Sequence, residues 1–139
     1  MSFRLELEQP AVPDSVPLAR HEITEFCEEL MVDPDVTARV RLAVTEACTN
    51  CVQHAYGSGA SAGSTYMLEA SVDGDDVVAV VNDCGIGTAR SGATAGLGFG
   101  WRLIDEAADG THVTSRPGYG TRVVMRFAMH ADRAASPER

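Results

Sequence analysis

The sequence predicts an α+β fold: a two-layer sandwich with helices on one face of a mixed, mostly antiparallel sheet. Three observations predict it. The elements follow the order strand, two helices, strand pair, glycine-rich loop, helix, strand pair. Both strand pairs are joined by short turns, which disfavours a doubly wound parallel sheet, because parallel neighbours need long crossovers. The chain has 139 residues, 45% of them hydrophobic, which suits one domain with one core.

Each element has its own signal. FRLELE alternates apolar and charged residues, as a half-buried strand does. After Pro10 and Pro13, Asp14 and Ser15 are candidate caps for a helix from Val16 to Met31. Asp33-Pro34 is a capping acid followed by proline at the first helical position, so a second helix should run from there to Tyr56. Its apolar side is Val36, Val40, Ala43, Val44, Ala47 and Cys51. GSGASAG, residues 57–63, reads as a flexible connection. TYMLEASV and VVAVVND are strands with a hairpin signal at Asp73-Gly74. Residues 85–100 are glycine-rich and aperiodic. From Leu97 to about Gly110, Trp101, Leu103, Ile104, Ala107 and Ala108 suit a third helix. THVTSR and TRVVMRF follow as strands, parted by Pro117-Gly118-Tyr119-Gly120. Residues 1–130 thus form the domain, and ADRAASPER is read as a disordered polar tail.

A formal net charge of −9 disfavours nucleic acid, whose phosphates are held by clustered Lys and Arg. No apolar run approaches the roughly 18 residues of a membrane span, and the N-terminus lacks a secretion-signal pattern. The expectation is therefore a cytoplasmic protein without a membrane partner. Four cysteines are too few for a disulfide scaffold.

The chemistry concentrates in four places. In VTEACTNCVQHAYG, Glu46, Asn50 and His54 recur every fourth residue, each displaced only about 40° around a helix from the last. A carboxylate, an amide and an imidazole so placed can hold a cation and take a proton. In VVNDCGIG, Asp83 ends an apolar strand ahead of Gly85 and Gly87, where a flat ligand can approach the backbone and offer an amine to the carboxylate. A turn after a strand explains the same residues. AGLGFGW places Gly96, Gly98 and Gly100 at a helix start, where uncovered N–H groups attract anions. It is neither a Rossmann nor a P-loop pattern. A late Gly120-Thr121 completes the series.

In that order, E-x-x-x-N, D-x-G-x-G, G-x-G and G-T resemble the Bergerat-fold ATPases, the superfamily of gyrase and the histidine kinases. Within them, TEACTNCVQHAYG and the single short domain are most similar to the anti-sigma-factor serine/threonine kinases. The likeness spans roughly residues 5–127. It implies that Glu46 is the general base, that Asn50 ligates Mg²⁺ on ATP, and that Asp83 recognises the adenine amine with support from Thr121. It implies too that Gly85 and Gly87 floor the pocket, that Gly96, Gly98 and Gly100 face the phosphates, and that Arg20 contacts protein partners. Those partners would be a sigma factor and an anti-anti-sigma antagonist, with a homodimer possible. The stretch between Gly87 and Gly96 is shorter than many relatives' lids, which keeps a nucleotide-binding module with little catalysis in view. GLGFG is also similar to the switch kinases, which phosphorylate a scaffold protein.

Other signals are discounted. Cys48-x-x-Cys51 lies mid-helix without a second pair, which disfavours zinc or redox chemistry. His21-Glu22 echoes a phosphoacceptor box but lacks its downstream residues. Helix-end packing beside Tyr56 is the simpler reading of His54, and a core anchor that of Trp101.

Overall fold

Five strands and three helices occupy the residues that the computed structural model describes, namely 3–57, 64–83, 98–116 and 120–130. In chain order they are β1 (Arg4–Pro10), α1 (Ser15–Glu29), α2 (Pro34–Gly57), β2 (Thr65–Asp73), β3 (Asp76–Asp83), α3 (Gly98–Ala107), β4 (Gly110–Arg116) and β5 (Gly120–Ala128). The strands form one open sheet in the order β1-β2-β3-β5-β4, and all four ladders are antiparallel. The α+β sandwich read from the sequence is the observed architecture, with a wholly antiparallel sheet among the described residues. The proposed tail lies outside them.

Strand alternation decides which side chains meet the helices. Directly paired residues form rows across the sheet, and two of these rows are Leu7–Leu68–Val81–Val123–Val113 and Leu5–Ala70–Ala79–Met125–Thr111. In both, the β2, β3 and β5 members are buried. Against them pack Ile23, Phe26 and Cys27 of α1, Val36, Val40, Ala43, Val44 and Ala47 of α2, and Ile104 of α3. Every residue expected on the apolar side of the second helix is buried, and Trp101 is half-buried against the same core. Then the pattern changes chemistry without changing face. The next row reads Gln9–Tyr66–Asp83–Thr121–Ser115. The core therefore ends, at one end of the sheet, in a line of polar groups.

α2 is oriented relative to that row by its two ends. Asp33, just before it, donates its backbone N–H to Met129 O at 3.1 Å, and its carboxylate lies 3.1 Å from His130 Nδ1. Met129 N in turn donates to Asp75 O at 3.0 Å. α2 thus starts at the Asp76–Ala128 end of the sheet and runs towards the polar row. α1 and α3 both pack against α2. Among the described residues, no helix is long and apolar enough to cross a membrane.

Three local expectations are refined. Asp14 makes no side-chain cap; the first α1 N–H groups are satisfied by a backbone turn, Ser15 N to Val12 O and Val16 N to Pro13 O. Ser15 points inward, its Oγ 2.8 Å from Val12 O and 2.7 Å from the Tyr66 hydroxyl. The β2–β3 turn has Gly74 and Asp75 at its centre, with positive φ only at Gly74 (63°). That sign pattern belongs to type II′ turns, so glycine serves as the first central residue, not the second.

α1 closes in a Schellman motif. Met31 N donates to Glu28 O and Val32 N to Cys27 O, both at 3.1 Å, and Val32 and Cys27 are buried. The residue forced into the left-handed region is Met31, at φ 60°, with its side chain 78% exposed. A side chain in that conformation costs about 1–2 kcal/mol, part of which glycine's extra freedom when unfolded offsets. Met31→Gly is expected to stabilise the domain by about 0.5 kcal/mol, read as a higher urea midpoint. A lower midpoint would mean that the methionine side chain contributes packing.

Candidate functional site

Helix periodicity and sheet register bring the chemistry-bearing residues together at the polar end of the sheet. On α2, Glu46 is half-buried and Asn50 is 6% exposed. Asn50 is flanked by Cys48 and Cys51, and the Cys48 thiol lies beside the Tyr66 hydroxyl. Tyr66 is paired directly with Asp83. This turn of α2 therefore sits over the strand end that carries Asp83.

The Asn50 amide is the least expected feature. Its Nδ2 is buried and has no hydrogen-bond partner. An unsatisfied buried polar group costs about 1–3 kcal/mol; Thr37 Oγ1 and Thr111 Oγ1 share that state, and the Asn50 amide is open to a polar partner. Amide nitrogen and oxygen exchange by a half-turn of the side chain, so Asn50 can present Oδ1 to a cation in the same place. The residue thus fits the role of a metal ligand, with Glu46 one turn away.

Below it, Asp83 and Thr121 are direct cross-strand neighbours, both buried, at 7% and 4% exposure. Thr121 Oγ1 is 3.4 Å from Ser115 Oγ on β4. Gly120, which leads into Thr121, has φ 99°, a conformation that requires glycine. A buried carboxylate beside a hydroxyl is suited to accept from a ligand N–H. Tyr66 and Ser115 belong to this polar row, though no motif marks them. Their signal is the register itself, which becomes readable only once the pairing partners are known.

The third side is α3. Gly98 is its first residue and Gly100 lies in its first turn. Its far end is fixed by Arg39 of α2, whose Nη1 donates to Ala107 O at 2.9 Å. Arg39 is only about a turn and a half into α2, and α3 packs against α2. At about 1.5 Å per residue, Glu46 is roughly 10 Å and Asn50 roughly 16 Å along α2 from Arg39. Gly98 is about 14 Å along α3 from Ala107 by the same measure. The two lengths are similar, so an α3 aligned along α2 from this clamp would bring its glycine-led start level with the Glu46–Asn50 turn. Gly85, Gly87 and Gly96 lie outside the described residues, as does the His54 side chain.

Arg20 comes from α1 and meets the residue just before Glu46. It is exposed on α1, and its Nε is 3.4 Å from Thr45 Oγ1, on the α1-facing side of α2. His21 is also exposed, paired with Glu25 at 3.3 Å. Burial pushes the Cys27 thiol up to about 11 and the Cys48 thiol up to about 12. Cys48 and Cys51 are both buried, at 0% and 8% exposure, in keeping with the reading of the C-x-x-C pair as core packing.

Comparison with known proteins gives the same picture. The profile of a family described as "Histidine kinase-like ATPase domain" matches residues 9–127. An anti-sigma F factor of Pasteuria penetrans is 29% identical over 143 residues, covering 94% of this chain and 93% of its own. One from Clostridium perfringens (strain SM101) is 26% identical, covering 94% and 99%. The serine-protein kinase RsbW of Bacillus licheniformis is 36% identical over 52 residues, 37% of this chain and 32% of its own. Among solved structures, the RsbU and RsbW domains of Rv1364c from Mycobacterium tuberculosis superpose with a TM-score of 0.69 at 19% identity, over 91% of this chain and 32% of that one. The SiaB–SiaC complex from Pseudomonas aeruginosa gives 0.61 at 13% identity, over 88% and 87%. At those identities the structures testify to the fold.

Proposed function

Because the chain belongs to the histidine kinase-like ATPase domain family, with the anti-sigma-factor kinases as its relatives, we propose that it is an ATP- and Mg²⁺-dependent serine-protein kinase and anti-sigma factor. It sequesters a sigma factor and phosphorylates a serine or threonine of an anti-anti-sigma antagonist. The observation that carries this reading is the buried Asn50 amide, whose Nδ2 has no hydrogen-bond partner, one helical turn from Glu46 and above the Asp83–Thr121 pair. Relatives named as anti-sigma factors and as a serine-protein kinase support its two halves.

Each residue then has a task. Asp83 accepts from the adenine amine, and Thr121 holds the adjacent hydroxyl. Gly85 and Gly87 are assigned to the base. Gly98 and Gly100 leave N–H groups at the start of α3 uncovered towards the phosphates, and Gly96 is assigned to the phosphates with them. Asn50 would hold Mg²⁺ through Oδ1, and an ion there would supply charge neutralisation for the phosphate oxygens. Glu46 takes the proton of the attacking hydroxyl as its oxygen bonds to the γ-phosphorus, while the bond to the bridging oxygen breaks and ADP leaves with the electron pair. Arg20, exposed on α1, is available to a protein partner. A homodimer is compatible with this arrangement.

The test is capture from cell extract with the full chain as bait, with and without ATP, followed by identification of what binds. A retained sigma factor, and an antagonist that becomes phosphorylated on serine or threonine with ATP, are the expected results. Retention of a scaffold protein alone would favour the switch-kinase reading suggested by GLGFG. ATP binding with no phosphorylated product would favour the non-catalytic module suggested by the short Gly87–Gly96 stretch.

A further inference from the structure

Arg39 is not part of any motif, yet it lies on the same stripe of α2 as the proposed base and metal ligand. Seven and eleven residues separate it from Glu46 and Asn50, which returns both to within about 20° of its own direction. Its guanidinium, 33% exposed, reaches the end of α3. There Nη1 donates to Ala107 O at 2.9 Å and lies 3.8 Å from Asp109 Oδ1. The other Asp109 oxygen accepts from Ala128 N at 2.7 Å, and Asp109 N donates to Arg126 O at 2.9 Å. Arg39 and Asp109 together therefore join α2, the last turn of α3 and β5.

This junction has a consequence at the opposite end of the helix. α3 has ten residues and no basic side chain in its last turn. A helix that short is marginal by itself and depends on outside contacts, and Arg39 supplies the missing cation at its negative end. A helix transmits axial displacement along its length, so where Ala107 is held determines where Gly98 begins.

We propose that Arg39 is a positioning residue. By clamping the C-terminus of α3 to the stripe of α2 that carries Glu46 and Asn50, it sets the distance between the glycine-led start of α3 and those two side chains. It touches no ligand. This rests on the reading above, in which the start of α3 faces the phosphates while Asp83 and Thr121 face the base. The phosphate end of the ligand should therefore depend on Arg39 and the base end should not.

The experiment compares equilibrium binding of Mg²⁺-ATP and of adenosine to the wild-type chain, Arg39→Gln and Arg39→Lys, with circular dichroism confirming that each is folded. Arg39→Gln should bind ATP about tenfold more weakly, with adenosine affinity held within about twofold. Arg39→Lys, which can still donate to Ala107 O, should recover most of the loss. If ATP and adenosine weaken together, or if neither changes, the positioning role is overturned and Arg39 is a stability contact or idle. Should Arg39→Gln fail to fold, Arg39→Lys still decides: an ATP-to-adenosine affinity ratio far from the wild-type value, in a folded protein whose clamp retains its hydrogen bond, contradicts the proposal. A wild-type chain that binds no ATP would instead sink the site reading itself.

Discussion

Glu46→Gln is expected to slow phosphoryl transfer from ATP by about 10²–10⁴-fold while leaving Mg²⁺-ATP affinity within about threefold. The substitution keeps the side chain's size at a half-buried position, so the fold and the neighbouring Asn50 are preserved. What it removes is the ability to accept a proton from the attacking hydroxyl, an interaction made only as the bond to phosphorus forms. Affinity reports the ground state and should barely move. The measurement is single-turnover transfer of labelled γ-phosphate to the captured antagonist, alongside calorimetric titration with Mg²⁺-ATP. A variant that transferred phosphate at the wild-type rate would remove Glu46 from the chemistry. One that lost binding and transfer in equal measure would recast it as a ligand-holding group.

Asp83 carries the second large effect, and the base itself supplies the control. The wild-type chain should bind ATP about 10- to 100-fold more tightly than purine riboside triphosphate, which lacks the amine, because a hydrogen bond to a buried carboxylate is worth roughly 1.5–3 kcal/mol. Asp83→Ala should bind both nucleotides alike. The comparison forms a double-mutant cycle in which one mutation is made in the ligand. It separates recognition of the amine from any general loosening of the sheet end, which would weaken both nucleotides equally. Unchanged discrimination in Asp83→Ala would place the amine elsewhere.

Much of the fold was legible because the signals are local. The alternation in FRLELE and the apolar, β-branched character of TYMLEASV, VVAVVND and TRVVMRF located four strands to within two or three residues, and Asp33-Pro34 located the start of α2. The apolar stripe of α2 was read residue by residue, since burial follows from a 3.6-residue period alone. The errors are also local. Asp14 looked like a cap and is not one, because backbone carbonyls at Val12 and Pro13 had already satisfied the N–H groups. Met31 gave no warning that it would adopt a positive φ, a conformation imposed by the turn between α1 and α2 and not by the residue.

The candidate site divides along the same line. Spacing within one helix put Glu46 and Asn50 on a common flank, and a strand's end put Asp83 at the edge of an apolar run; these depend on helix and strand geometry and on nothing further along the chain. That Tyr66, Asp83, Thr121 and Ser115 stand in one row depends on how four strands from distant parts of the sequence align. That Arg39 reaches Ala107 depends on how two helices pack. Side-chain periodicity is a property of short-range backbone geometry, so the sequence carries it openly. Register and helix packing are settled by which buried surfaces fit together, and that competition is decided only when the whole chain has folded.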